Sequence, residues 1–124
     1  MSCVISISNR SEGIWGIRNT IYEWFVGLVL QRFGSDARLT ESLKQSQYFQ
    51  ALGLDRTRSE DPALASVLTA SLLVIAREIA DGKHALTDYG GRPWPELQKE
   101  TEHAFAALVE LLTRFRQTGI HEGG

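Results

Sequence analysis

Glu100-Thr101-Glu102-His103 is the stretch of this sequence whose residue types and spacing come nearest to a known chemistry. A Glu-x-x-His run places a carboxylate and an imidazole on one face of a helix, which is half of what a di-iron bundle uses. The other half needs a second such pair and two further glutamates on facing helices, and no second Glu-x-x-His occurs. The run reads first as a solvated polar face. A small ligand-binding or enzymatic bundle using Glu100 with His103 is the alternative. His84 and His121 lack ligand spacing and Cys3 has no companion, so no metal and no cofactor is indicated. Gly-x-Ser-x-Gly and a Gly-rich loop ending in Lys-Ser/Thr are both missing. Ser8, Ser11 and Ser35 read as caps or loop residues, and no catalytic residue is assigned.

Two stretches have the chemistry of a contact surface instead. The segment Asp88-Tyr89-Gly90-Gly91-Arg92-Pro93-Trp94-Pro95 brings Tyr, Arg and Trp together, the types that dominate interface hot spots. Asp88, Tyr89, Arg92 and Trp94 are its candidate contacts, against the simpler reading that Tyr89 and Trp94 fold back as a plug. Downstream, Glu96, Glu100, His103 and Glu110 recur at spacings of four, three and seven, one stripe of a helix with Glu102 alongside. That stripe suits a basic partner protein. Its simpler reading is a solvated face, on which Glu110 and Arg114 form an ordinary intrahelical pair.

The elements that must carry these residues follow from pattern. The chain has 124 residues, 43% hydrophobic and 23% charged, with a net charge of -2; this predicts one folded domain and excludes disorder. No basic stripe remains for nucleic acid, because Arg56 and Arg58 are interleaved with Asp55, Glu60 and Asp61. A single cysteine forbids an intrachain disulfide and fits a reducing compartment. Met1 to Asn9 does not resemble a secretory signal. Trp24 to Leu30, read as the most apolar run, is far shorter than the roughly 20 residues of a membrane helix. A cytoplasmic protein of bacterial character, away from membranes, is expected.

Cys3, Ile5 and Ile7 alternate as in a short strand, and no second convincing strand follows, so residues 1–9 are expected to form a tucked arm. Asn9 with Glu12, and Thr20 with Glu23, have capping-box spacing. The first helix runs from about Thr20 through Ile21, Trp24, Phe25, Leu28, Val29 and Phe33 to Gly34. A second lies between Asp36 and Gly53 on a thin stripe of Leu39, Leu43, Phe49 and Leu52. Leu54 to Glu60 reads as an exposed linker. Asp61 and Pro62 start a third helix ending before Gly82, with Leu64, Val67, Leu68, Leu72, Ile75 and Ile79 inward. Its other side, including Ala70, Leu73, Ala76 and Ala80, is small and almost uncharged, which places the helix centrally or at a homodimer contact. Pro95 opens a fourth helix that Gly119 ends, leaving 119–124 as a loose tail. The expected fold is all-α: one domain over 1–124, an irregular four-helix bundle with a short N-terminal extended segment.

Small size, mild acidity and missing catalytic motifs together favour an intracellular protein-binding module. The concrete form is a bacterial immunity protein or antitoxin that neutralises a basic toxin by covering its active site. A homo-oligomer built through Ala70, Leu73, Ala76 and Ala80 is the structural alternative.

Overall fold

Strand alternation decides the N-terminal part of the chain. The computed structural model describes residues 2–8, 10–88 and 90–123, and the side chains of the last helix as far as Gln117. Strand β1 (Ser2–Ser6) buries Cys3 and Ile5, and strand β2 (Ile14–Arg18) buries Trp15 and Ile17. The two pair antiparallel with Cys3 opposite Ile17 and Ile5 opposite Trp15. A period of two therefore puts all four side chains on one face. A 3-10 turn over Ser11–Gly13 closes the hairpin. A Cβ on Gly13 would lie 2.1 Å from Ser8 Oγ and 3.2 Å from Ser8 N, so a larger residue would force Ser8 to move, and the Gly13 carbonyl accepts from Ile7 N at 2.8 Å.

Helix α1 (Asn19–Phe33) follows β2 without a linker and buries Ile21, Tyr22, Phe25, Val26 and Val29. Helix α2 (Ala37–Phe49) is capped by Asp36, which accepts from Arg38 N at 3.0 Å and Leu39 N at 3.1 Å. Gln50 then takes the left-handed conformation, φ 59°, and turns the chain into strand β3 (Ala51–Gly53). This strand lies parallel to β1 with Leu52 opposite Ile5, giving the strand order β2-β1-β3. Helix α3 (Leu54–Glu60) leads to Asp61, whose carboxylate caps helix α4 (Pro62–Ala80) by accepting from Leu64 N at 3.1 Å. Helix α5 spans Pro95–Gly123.

The fold is thus α+β and not all-α: the described residues form five helices, about 70% of the chain, with a three-stranded mixed sheet. The expected arm is the middle strand of that sheet, paired within the chain on both sides. The expected exposed linker is α3, whose Leu54 is fully buried. Thr20 and Glu23 lie inside α1, whose start at Arg18 has no side-chain cap. Asn9 falls outside the described residues, and Glu12 belongs to the 3-10 turn. The last helix passes through Gly119 rather than ending there.

Helix α4 is the hub, touching α1, α2, α3 and α5. By length and composition it could cross a membrane, yet half of that stretch is buried in the domain, where its apolarity serves the core. Val67, expected inward, is exposed, whereas Thr69, Leu73 and Ala76 from the supposed outer side are buried. Across the core, Phe105 of α5 meets Phe25 of α1 at 4.8 Å and Trp15 of the sheet at 5.1 Å between ring centres. The Trp15 indole N–H donates to the Ala104 carbonyl at 2.7 Å. Beneath α2, Ser46 Oγ donates to the Leu43 carbonyl and shares a 2.7 Å hydrogen bond with the Tyr22 hydroxyl. Burial there pushes the Tyr22 phenol up to about 12.

Candidate binding surfaces

Packing of α2 fixes what its last turn presents. Leu39, Leu43 and Ser46 are its buried positions, spaced four and three. Phe49, ten residues past Leu39, is rotated from that stripe by about 80° at 3.6 residues per turn. Phe49 is accordingly 69% exposed and Tyr48 82% exposed. This overturns the inward placement expected for Phe49. The two rings meet edge to face with centres 5.0 Å apart, an arrangement that pairs the positive edge of one with the negative face of the other. Beside them a shallow cleft of about 140 Å³ is edged by Gln45, Ala51, Arg56 and Glu60. Large apolar groups side by side in water are the informative kind of exposure, since they mark contact sites.

The expected acidic stripe is on the surface: Glu96, Glu100, His103 and Glu110 are all exposed along α5. Lys99 and Arg114 are exposed on the same helix, so the charge is mixed. Glu100 edges a cleft between α5 and β2, and His103 is not part of its lining. Among the described residues no three His, Cys, Asp or Glu side chains converge as a metal site would require.

The glycine-rich loop is held largely by its own backbone and Asp88. Asp88 Oδ1 accepts from Gly90 N at 2.9 Å and Arg92 N at 3.0 Å, an Asx-type turn. The Arg92 side chain lies 3.7 Å from the other Asp88 oxygen, and Trp94 packs partly buried against the core. Asp88 and Trp94 thus have structural work to do, Arg92 remains exposed, and Tyr89 lies outside the described residues.

A polar network the sequence did not suggest joins α1, α4 and α5. Helix α4 ends in a Schellman turn: Gly82 at φ 77° donates to Ile79 O, and Lys83 N donates to Glu78 O. The Glu78 carboxylate is held between Arg32 of α1 and His84 Nε2, the latter at 2.8 Å. Gln98 of α5 donates to the His84 carbonyl at 3.2 Å and to Glu102 at 2.8 Å, and accepts from Leu86 N at 2.7 Å. This network ties the loop to the helices. The hydrogen bond from Arg32, and then that from His84, hold the Glu78 carboxyl at about 2, below its ordinary 4.5. A lowered folded-state value stabilises above the unfolded value, and that stabilisation is lost as pH falls through the folded one. Melting temperature should therefore fall between about pH 4.5 and pH 2. Glu78→Gln should melt lower than the wild type at pH 6, and the gap should close by pH 2; a gap constant with pH would contradict this.

Cys3 offers no reactive thiol. It is buried, donates to Asn19 Oδ1 at 3.1 Å, and burial followed by the nearby Glu23 charge pushes its thiol pKa up, away from the thiolate form that reacts. A further cleft of about 340 Å³ lies between α3, α4 and α5. The Arg58 guanidinium there sits 3.4 Å over the Phe115 ring and donates to the Phe115 carbonyl.

Tyr48 and Phe49 are what the sequence reading missed. Their signal was phase: they stand out of step with Leu39 and Leu43, just before a chain reversal. Comparison with protein-family models, with curated proteins and with solved structures finds no match to this chain.

Proposed function

We propose that this chain is a protein-binding module whose partner docks on the Tyr48–Phe49 pair. The observation that carries the reading is the exposure of two large aromatic rings, 82% and 69%, at the end of a helix otherwise packed by its aliphatic side. Tyrosine is among the residues that dominate measured hot spots, and an aromatic pair supplies contact area at low entropic cost. A bacterial immunity protein or antitoxin acting on a basic toxin is the concrete form we put forward. The net charge of -2 and the exposed Glu96, Glu100 and Glu110 support the sign of that partner.

The test is affinity purification from the native host with the wild type and with Tyr48→Ala/Phe49→Ala. At such exposed positions the double variant should melt within a degree or two of the wild type. One stoichiometric basic partner is expected with the wild type, and its affinity for the variant should drop by about 30-fold or more, as for removal of a hot spot. Retention of the partner by the double variant would remove this surface from the account. Charge reversal at Glu96, Glu100 and Glu110 should slow association and reduce its salt dependence if the acidic face steers the partner.

A further inference from the structure

Four of the five helices turn charged residues to water, with Glu23 exposed on α1, Lys44 on α2, Arg56 on α3 and Glu110 on α5. Helix α4 does not. Its exposed positions run Pro62, Ala63, Ser66, Val67, Ala70 and Val74, and the first exposed charge is Arg77 in its last turn. Val67 is 42% exposed and Val74 40%. Branched aliphatic side chains in water on one uncharged face mark a contact.

Spacing gives the shape of what covers that face. Ala63, Val67, Ala70 and Val74 stand four, three and four residues apart, the alternation with which one helix meets another along a seam. Arg77, three residues further, continues the line. From Ala63 to Arg77 the seam is about 21 Å long at 1.5 Å per residue. It is not the face of Leu73 and Ala76, which the core already buries.

The seam complements itself. In one antiparallel register Val67 faces Ala70 of a second copy and Val74 faces Ala63 of that copy, so each larger side chain meets a smaller one in all four layers. That register carries Arg77 to the start of the other copy's α4. There Glu60 has 72% of its side chain exposed and only a loose 3.7 Å contact with Arg56. A two-fold axis repeats the pairing of charges at the other end. Sliding the copies by seven residues sets Arg77 against Val67, and a parallel pair sets Arg77 beside Arg77. A lipid surface matches less well, since it favours cations flanking the apolar stripe and the chain is net acidic at -2.

We propose that two copies of this chain pair antiparallel through α4, on the seam of Ala63, Val67, Ala70 and Val74, with Arg77 of each against Glu60 of the other. One helix face of this length falls short of the roughly 1,200 Å² of a stable specific interface. The dimer is accordingly a weak one, with a dissociation constant on the order of 100 µM.

The experiment is sedimentation equilibrium of the full-length protein from about 10 µM to about 1 mM, a span that brackets that constant. The wild type should pass from monomer to dimer and no further, because a two-fold contact closes on itself. Val67→Glu, at an exposed position, should keep the wild-type circular dichroism and associate at least about tenfold more weakly. Glu60→Arg and Arg77→Glu bring like charges together at both ends, and each should self-associate about tenfold more weakly. Mixed in equal amounts, these two variants should recover the wild-type association as a heterodimer, because each supplies the charge that the other lacks.

A wild type still monomeric at about 1 mM would overturn the proposal, as would a Val67→Glu variant that dimerises like the wild type. Failure of the mixture to recover would overturn the antiparallel register. Pelleting of a monomeric wild type, but not of Val67→Glu, with phosphatidylcholine–phosphatidylglycerol vesicles would assign the face to lipid and overturn the second copy. The Tyr48→Ala/Phe49→Ala variant should dimerise as the wild type does, so none of these outcomes depends on that surface.

Discussion

Phe105→Ala is expected to cost about 3–5 kcal/mol of folding stability, the range for removing a buried aromatic ring. Phe105 is fully buried, and its ring contacts Trp15 at 5.1 Å, Trp24 at 6.4 Å and Phe25 at 4.8 Å. Trp15 belongs to β2, Trp24 and Phe25 to α1, and Phe105 to α5, so this one ring is where the sheet, the first helix and the last helix meet. Two consequences set the size of the effect. The three surrounding rings are themselves held by other contacts, as Trp15 is by its 2.7 Å bond to the Ala104 carbonyl. They cannot collapse fully into the hole, which leaves the cavity cost on top of the lost transfer energy. Set against the 5–15 kcal/mol that ordinary domains have in total, the loss is a large fraction. Urea unfolding should show the midpoint falling with an unchanged slope, and the melting temperature dropping by roughly 10–20 °C. Phe105→Leu should cost under about 2 kcal/mol, since it keeps much of the apolar volume. A loss below 1 kcal/mol for the alanine variant would show that the ring is not the joint described.

Punctuation was the legible part of this fold. Asp36, Asp61 with Pro62, Gly34, Gly82 and Pro95 mark helix ends where the structure has them, because capping and termination are settled by residues adjacent in sequence. Strand pairing was not legible, and particular residues show why. Ile14-Trp15-Gly16-Ile17-Arg18 carries the alternation of a strand, but Gly16 interrupts it and the nearby cap-like spacings favour a helix start. Ala51-Leu52-Gly53 is too short to display a period. Its place beside β1 depends on Ile5, more than forty residues earlier, and local pattern cannot report such a pairing. Leu54 to Glu60 looks like a linker because six of its seven residues are polar or charged beside one buried leucine; tertiary contact with α4 makes it a helix despite that.

The binding surfaces divide along the same line. Exposure of the glutamates on α5 could be read from spacing, since a helix with an apolar stripe must turn its charges outward. The Tyr48–Phe49 pair was legible only as phase, both standing out of step with Leu39 and Leu43, while hydrophobic type alone would assign them to a core. Their exposure follows from Ser46, a polar residue drawn inward by the Tyr22 hydroxyl, which fixes the rotation of α2. Likewise the cleft that Glu100 edges exists only once β2 is a strand lying beside α5; with the first helix expected to begin near Thr20 and no second strand expected, that wall was not legible.

Leu73→Glu separates the sequence reading of α4 from the structural one. Placed with Ala70, Ala76 and Ala80 on an outward face, Leu73 would be the centre of a homodimer contact, and a glutamate there would yield a monomer or an insoluble product. In the structure Leu73 is 2% exposed and Ala76 fully buried. The introduced carboxylate would stand in the hydrophobic core. Burial raises a carboxyl pKa by up to 3–5 units, and each unit is about 1.4 kcal/mol, so the ionised form alone costs on the order of 4–7 kcal/mol. Loss of the leucine's own burial adds about 2 kcal/mol. Together these reach the whole stability of a typical domain, and the variant is expected to be largely unfolded or insoluble at neutral pH. The pH dependence carries the sign. A carboxyl whose folded-state pKa is raised is neutral in both states below its unfolded value of about 4.3. The charge penalty therefore grows as pH rises from there and is complete above the folded value. Leu73→Glu should recover helical signal near pH 4 relative to pH 8. Val74→Glu, one residue further on and 40% exposed in the wild type, should fold at both pH values with a cost near 1 kcal/mol or less. Circular dichroism and size-exclusion chromatography of the two variants decide the matter. A well-folded Leu73→Glu monomer derived from a wild-type dimer would restore the outward face, whereas its unfolding beside an intact Val74→Glu establishes that α4 spends this side of its surface on the core.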